Sequence, residues 1–356
     1  YGGSFHINYF FNRNFMDAEF LKFIKNSAKT LQKILKDNKK FQIFFDSDVD
    51  GLMSLLITLK SLKKLGKEVD FKEVRDREDL PKIIESLSDK EYVYIFLDLS
   101  LKKEYLEKIR KSQVKVIWID HHQIETFSTK GIFYINPLVI DKNLYIPTSA
   151  LTYLLFDKII YVKENLYYSA IGSIADKCQK HCEKIIKLAS MKFKESYENF
   201  ELIAQKVNSI FILNKKIEKY VEKMQNIEFF KSKELEKIYE KVQKEIEKEL
   251  NNFEKEKLEI KNFIIYEIKS KLKIRSTIAS ILSEKIKDKI IVVYQKEKDK
   301  IKISFRTSLE NVNLLEILKR MKVDFISFGG HKKACGAVIH KKDLNKLINQ
   351  IKRWSK

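Results

Sequence analysis

Five aspartates and two adjacent histidines stand where short apolar runs end, and their side chains suit divalent-metal chemistry. "FQIFF" (41 to 45) leads into "DSDVDG", with Asp46, Asp48 and Asp50; "YVYIFL" (92 to 97) leads into Asp98; "VKVIWI" (114 to 119) leads into Asp120, His121 and His122. Carboxylates crowded into one crevice raise one another's pKa and resist ionisation, a repulsion that divalent cations relieve. Acids with one or two imidazoles and no thiolate suit manganese or magnesium better than zinc or copper. Two such ions about 3.5–4 Å apart would activate a water and stabilise an in-line attack on a phosphoester. Each piece alone has a plainer reading. The DxDxDG loop fits a calcium-type loop or a polar turn, Asp98 a helix cap or turn, and the paired histidines an incidental surface pair. Asp176, in "GSIADK", rests on the least.

The elements that must position these groups read as a parallel α/β sheet. Residues 41 to 176 alternate β-branched and aromatic runs with helical patterns. Leu52, Leu55, Leu56, Leu59 and Leu62 recur at helical spacing before Gly66. Strands near "VDFKEV" and helices near "LPKIIESL" and "KKEYLEKIRK" complete the alternation, and Thr148 is expected to cap the helix "SALTYLLFDKI". In open α/β sheets ligands bind beyond the carboxyl ends of strands. The acids, far apart in sequence, would converge there with His121, His122 and Asp176.

From about 181 to 270 the texture changes to long lysine- and glutamate-rich helices, with Leu235, Ile238, Val242, Ile246, Leu250 and Phe253 as one apolar stripe. Strands are expected again from about 272: "KIIVVYQ" and "IKISFR" as a hairpin, then "ACGAVIH" before a closing helix. Between them "SFGGHKKACGA" offers Gly329 and Gly330 for close backbone approach and His331 as a donor, and Arg306 is suited to pairing with a phosphate. The same stretch also reads as a tight turn with a basic tip. The domains expected are 5 to 180 catalytic, 181 to 270 a helical connector or insertion, and 271 to 356 a smaller α/β domain that binds substrate.

Seventy Lys and Arg against 49 Asp and Glu give a formal charge of +21, which favours a polyanion such as nucleic acid. A lysine-rich composition with 3 Pro and 9 Gly also arises in AT-rich or thermophilic genomes whatever the function. Three cysteines form no even framework, which fits a reducing cytoplasm. No apolar run approaches the roughly 18 residues that cross a bilayer, so no membrane role is expected. "YGGS" reads as a scar or trimmed terminus.

Assembled, the motifs resemble the DHH phosphoesterase superfamily, in its RecJ-like branch with a DHH-associated C-terminal domain. "FFDSDVDG", "FLDLS", "DHHQ", "GSIADK" and "FGGHKKACGA" are similar, in order, to five family motifs. The resemblance implies a bilobed enzyme with two manganese ions, magnesium being the second choice. It implies Asp46, Asp48, Asp50, Asp98, His121 and Asp176 as metal residues, with Asp98 bridging. Asp120 and His122 would support catalysis, and Arg306, Gly329, Gly330 and His331 would grip the strand. Many relatives begin the first motif with histidine; RecJ-like members often have aspartate at this place, as Asp46 is here. The size resembles compact archaeal versions. The expected activity is exonucleolytic release of mononucleotides from single-stranded DNA or RNA in replication, repair or RNA turnover. Alternatives are a nanoRNase or cyclic-dinucleotide phosphodiesterase, and a helicase-associated subunit with a replication or repair partner on residues 181 to 270.

Overall fold

A computed structural model describes residues 18–75, 77–123 and 128–354; the opening "YGGS" lies outside them. The chain divides into two units, one running to Phe211 and including Lys216–Glu236, the other made of Ile212–Lys215 and Lys237–Lys356. Among the described residues no helix is long and apolar enough to cross a membrane.

In the first unit, β1 (Lys40–Asp46), β2 (Glu68–Val74), β3 (Tyr92–Leu97), β4 (Lys115–Ile119) and β5 (Phe133–Ile135) form one sheet in the order β2-β1-β3-β4-β5. Every pairing is parallel, so the strand ends that carry the acids share one edge. β3 and β4 read as unbroken apolar runs because both of their faces are covered. On one face Phe44, Phe96 and Trp118 stack in a row, with ring centroids 5.1 and 4.3 Å apart. Stacked pairs of this kind add about 0.5–1.5 kcal/mol each beyond burial. Trp118 Nε1 donates to Leu99 O at 2.6 Å, which ties the strand core to the chain just past Asp98.

Helix α1 is Ala18–Asp37, and α2, Val49–Lys64, is buried along most of its length because α5 (Thr148–Asp157) and α6 (Asn165–Ala175) pack on it. α3 (Leu80–Glu85) and α4 (Lys103–Ser112) adjoin the aromatic row. α7 (Gln179–Phe193), α8 (Tyr197–Ile212) and α9 (Glu218–Met224) follow. Thr148 does not cap α5: Pro147 holds that position, and Thr148 is already helical. Its hydroxyl has another partner, described below.

The second unit carries a six-stranded sheet in the order β10-β11-β9-β8-β7-β6. The strands are β6 (Leu258–Ile260), β7 (Phe263–Glu267), β8 (Ile290–Glu297), β9 (Lys300–Thr307), β10 (Phe325–His331) and β11 (Ala334–His340). Only β7 and β8 pair in parallel, across α11 (Arg275–Lys285). Helix α10 (Lys233–Glu256) and α11 pack apolar side chains against one face, and the cluster on the other includes α12 (Leu314–Arg320) and α13 (Leu344–Trp354). Two expectations change. Strands begin at Leu258 and not at about 272, since "FIIY" is buried throughout. And "SFGGH" is strand β10, the tight turn with a basic tip being confined to Lys332 and Lys333. This mixed α/β architecture, a parallel-sheet domain followed by a smaller second domain with its own sheet, is the expected fold class.

Candidate metal centre

The edge formed by the ends of β1, β3 and β4 gathers the acids by backbone geometry. Asp46 closes β1 and its Oδ1 accepts from Ser47 N at 2.8 Å. Asp48 is the N-cap of α2, accepting from Gly51 N at 2.9 Å, where a carboxylate also meets the positive end of the helix dipole. Gly51 has no substitute here, since a Cβ would fall 2.4 Å from Asp46 O. Asp98 follows β3 at φ +62°, a left-handed conformation uncommon outside glycine, and its N–H donates to Ile119 O at 3.0 Å. Asp120 N donates to Ile135 O at 3.0 Å, so β5, too short to find in the sequence, anchors the histidine loop.

Asp98, 1% exposed, lies 3.1 Å from His121 Nε2 through Oδ1, and the same oxygen accepts from Thr148 Oγ1 at 3.0 Å. His121 Nδ1 is 3.4 Å from Asp176 Oδ2, which accepts from the Tyr145 hydroxyl at 2.7 Å; the Tyr145 ring lies 4.9 Å from the imidazole. Asp120 Oδ1 accepts from both histidine N–H groups, at 2.8 and 3.1 Å, and lies 2.7 Å from His122 Nδ1, so it orients the His122 ring. Asn136 Nδ2 donates to His122 O at 2.9 Å. The two histidines are thus separated: His121 is buried among acids, and His122 is held at the partly open side.

Asp50 behaves differently from its two neighbours in the loop. Its Oδ2 accepts from Thr148 N at 2.7 Å, and its Oδ1 accepts from Ser149 N at 3.1 Å and from the Ser149 hydroxyl. It thereby clasps the first turn of α5, and it also stands with His121 and Asp176 in a group that could hold a metal ion. Gly172 permits the clasp: a Cβ there would lie 2.1 Å from Ser149 Oγ and 2.7 Å from Asp50 Oδ1. Sequence reasoning missed Thr148, Ser149, Tyr145, Asn136 and Gly172 as parts of the site. "PTS" carries a helix-start signal and nothing that names its partners.

The electrostatics ask for cations. Burial, then the charges of Asp48, Asp50, Asp120 and Asp46, push the Asp98 carboxyl well above its usual range. Burial and the Asp176 charge do the same to Asp50 against the pull of Ser149. Asp48 keeps an exposed side, yet lost hydration and then Asp46 push it up to about 6. Burial lowers His121 against the charge of Asp176, favouring the neutral imidazole that ligates metals. Among the described residues, Asp120 Oδ2 and His121 Nδ1 are buried without a hydrogen-bond partner. Orphaned groups of this kind cost about 1–3 kcal/mol each. Asp98, His121 and His122 offer ligand atoms within 4.8 Å of one another, as do Asp50, His121 and Asp176. The donor set fits hard divalent cations.

The residues expected to bind substrate lie in the second unit. Register places Arg306, Ala334 and His331 in one row across β9, β11 and β10, with Ser304, Gly336 and Gly329 in the next. Arg306 Nη2 donates to Ser276 Oγ at 2.6 Å and Nε to Ser280 Oγ at 3.2 Å, so α11 fixes the guanidinium. Gly330, at φ +134°, has Ala334 O where a Cβ would go, while Gly329 leaves open space.

Residues 40–177 match the family model of the DHH family, N-terminal domain, and residues 261–356 match the DHHA1 domain. No curated protein sequence matches the chain. RecJ from Thermus thermophilus in complex with Mn2+ is similar in fold, with a TM-score of 0.73 at 18% identity, over 94% of this chain and 55% of that one. The chain therefore spans little more than half of that protein. An exonuclease RecJ bound to manganese gives a TM-score of 0.68 at 16% identity, over 93% of this chain and 94% of that chain. CDC45 from Entamoeba histolytica gives 0.54 at 11%, over 94% of this chain and 99% of that chain. The chain belongs to the DHH phosphoesterase superfamily, with a DHH domain, a DHHA1 domain and a RecJ-like fold.

Proposed function

We propose that the protein is a manganese- or magnesium-dependent exonuclease that shortens single-stranded DNA or RNA to mononucleotides. The observation that carries this reading is the close grouping of Asp98, His121 and Asp176, with His121 Nδ1 and the nearby Asp120 Oδ2 making no hydrogen bond among the described residues. Asp46, Asp48, Asp50, Asp98, His121 and Asp176 are the proposed metal residues. Asp50 also holds α5 in register. Bound cations supply Lewis-acid activation of water and charge neutralisation at the phosphoryl group. Asp120 fixes the ring of His122, which is placed to touch the scissile phosphate, while Tyr145 and Thr148 hold the carboxylates of Asp176 and Asp98. Arg306 and His331 take the neighbouring strand phosphates, over a glycine floor that lets a backbone approach closely. The +21 charge favours a polymer over a dinucleotide.

The fold likeness to CDC45 keeps a second reading in view, a non-catalytic subunit of a replication complex with a partner on residues 181 to 270. The unbroken acid set favours the enzyme. One digestion series separates the readings: DNA and RNA strands labelled at either end, and dinucleotides, each with Mn2+ or with EDTA. Stepwise shortening of strands only with metal supports the exonuclease. Rapid loss of dinucleotides beside intact strands would make it a short-substrate phosphodiesterase, and no cleavage would favour the subunit.

A further inference from the structure

Along α10, Lys237, Lys241, Lys244 and Lys248 recur four, three and four residues apart and are all exposed. That spacing places them on one helical face, opposite the buried Val242, Ile246 and Phe253, over about 16 Å of axis. The loop 269–272 lies across from the stripe and adds Lys269 and Lys271, so that six lysines and only two glutamates, Glu240 and Glu245, line a groove of about 800 Å³.

Most lysines elsewhere in a chain of this composition would be solvated and of no consequence, but this groove is built. Glu249, fully buried on α10, accepts from the Tyr266 hydroxyl at 2.6 Å and from Ser270 N at 2.7 Å. Gln295 on β8 donates to Ser270 O at 2.7 Å. Both backbone groups of Ser270 are therefore pinned from the interior. A buried carboxylate is costly unless fully bonded, so its use here fixes the lysine loop against the lysine stripe. Lys248 reaches Glu245 at 3.6 Å and Lys269 reaches Glu256 at 2.6 Å. Among the described residues, Lys237, Lys241, Lys244 and Lys271 have no carboxylate oxygen within 4.0 Å.

We propose that this groove binds the sugar–phosphate backbone of a single-stranded nucleic acid, as an anchoring track separate from the metal-centre residues and from the Arg306 row. Its substrate class rests on the function proposed above. Fixed like charges repel until a polyanion replaces their counterions, and the released counterions supply the binding free energy. A protein partner would instead need apolar or aromatic anchors, and Leu272 is the only large apolar side chain in the lining.

The test is a variant with Lys237→Gln, Lys241→Gln, Lys244→Gln and Lys271→Gln, its fold checked by circular dichroism and thermal midpoint. Binding of a long oligothymidylate is measured with EDTA across a salt series, and dinucleotide cleavage with Mn2+. Expected are a loss of strand affinity on the order of tenfold or more at low salt, and a salt slope shallower by about 0.7 per lost contact. Dinucleotide cleavage stays unchanged. Unaltered affinity and slope, or an equal loss on dinucleotides, would overturn the proposal. So would competition by polyglutamate as strong as by strand, which would assign the groove to an acidic protein segment, or tighter binding of duplex than of single strand. A wild-type protein that cleaves nothing while the variant still loses strand affinity would remove the nuclease reading and leave the groove. A wild-type protein that binds no strand would remove both.

Discussion

The carboxyl edge of the first sheet and the Arg306 row of the second are both concentrations of charge on strands, and they are built on opposite terms. At the first, Asp98 and His121 are buried, carboxyls are pushed towards protonation, and two polar atoms have no partner. At the second, Arg306 has its guanidinium anchored by two serines, and the glycine rows leave the sheet bare. Only the first holds unmet demand, which a bound ion would complete. The second is a finished surface, suited to being approached.

Removing the residue at the centre of that demand should have the largest effect. Asp98→Ala is expected to lower hydrolysis by about 10³-fold or more, several kcal/mol of lost charge stabilisation. Strand binding in EDTA should stay within about twofold, since phosphate contacts elsewhere supply it. A gel-shift titration beside an end-label assay reads both. Cleavage at the wild-type rate would take Asp98 out of the centre.

At the finished surface the loss should be in binding. Arg306→Gln removes charged hydrogen bonds worth about 1.5–3 kcal/mol, so the KM for strands should rise on the order of tenfold to a hundredfold with kcat little changed. A fall in kcat alone would erase the contrast between the two regions.

Gly172→Ala attacks neither ligand nor substrate. Its Cβ would collide with Ser149 Oγ and Asp50 Oδ1, so overpacking should lower stability by about 1–3 kcal/mol in chemical denaturation and weaken Mn2+ binding with it. Normal stability would show that the clasp yields easily.

The mildest perturbation is pH. The Asp48 carboxyl rises from 3.8 to about 6 in the fold, so its contribution favours the folded state below 3.8 and is lost as pH climbs through about 6. Mn2+ binding displaces that proton. Its affinity, followed by calorimetry, should rise by about tenfold per pH unit or more up to about 6, and less steeply beyond it while Asp98 still releases its proton. An affinity flat across that window would mean the carboxyl is already ionised in the metal-free protein.

What could be read from the sequence follows from how local each signal is. β1, β3 and β4 announced themselves because strands covered on both faces leave long apolar runs. β5 has three residues, too few for any period, and β10 has two glycines and only one β-branched residue. The acids at the strand ends were legible by position. The clasp that Asp50 makes was not, because its spacing from Asp48 repeats that of Asp48 from Asp46, and what distinguishes it is a partner in another helix. Tyr145 stood in an irregular stretch with no pattern to mark it.

The clasp between Asp50 and the start of α5 joins residues 98 positions apart. During synthesis, a chain that has released Asp46, Asp48, Asp98 and both histidines still lacks the turn that holds Asp50 and Asp98, and then lacks Asp176. In the proposed centre, metal loading would therefore wait until Asp176 has left the ribosome. Occupancy of the centre would then report that the segment up to Asp176 has folded.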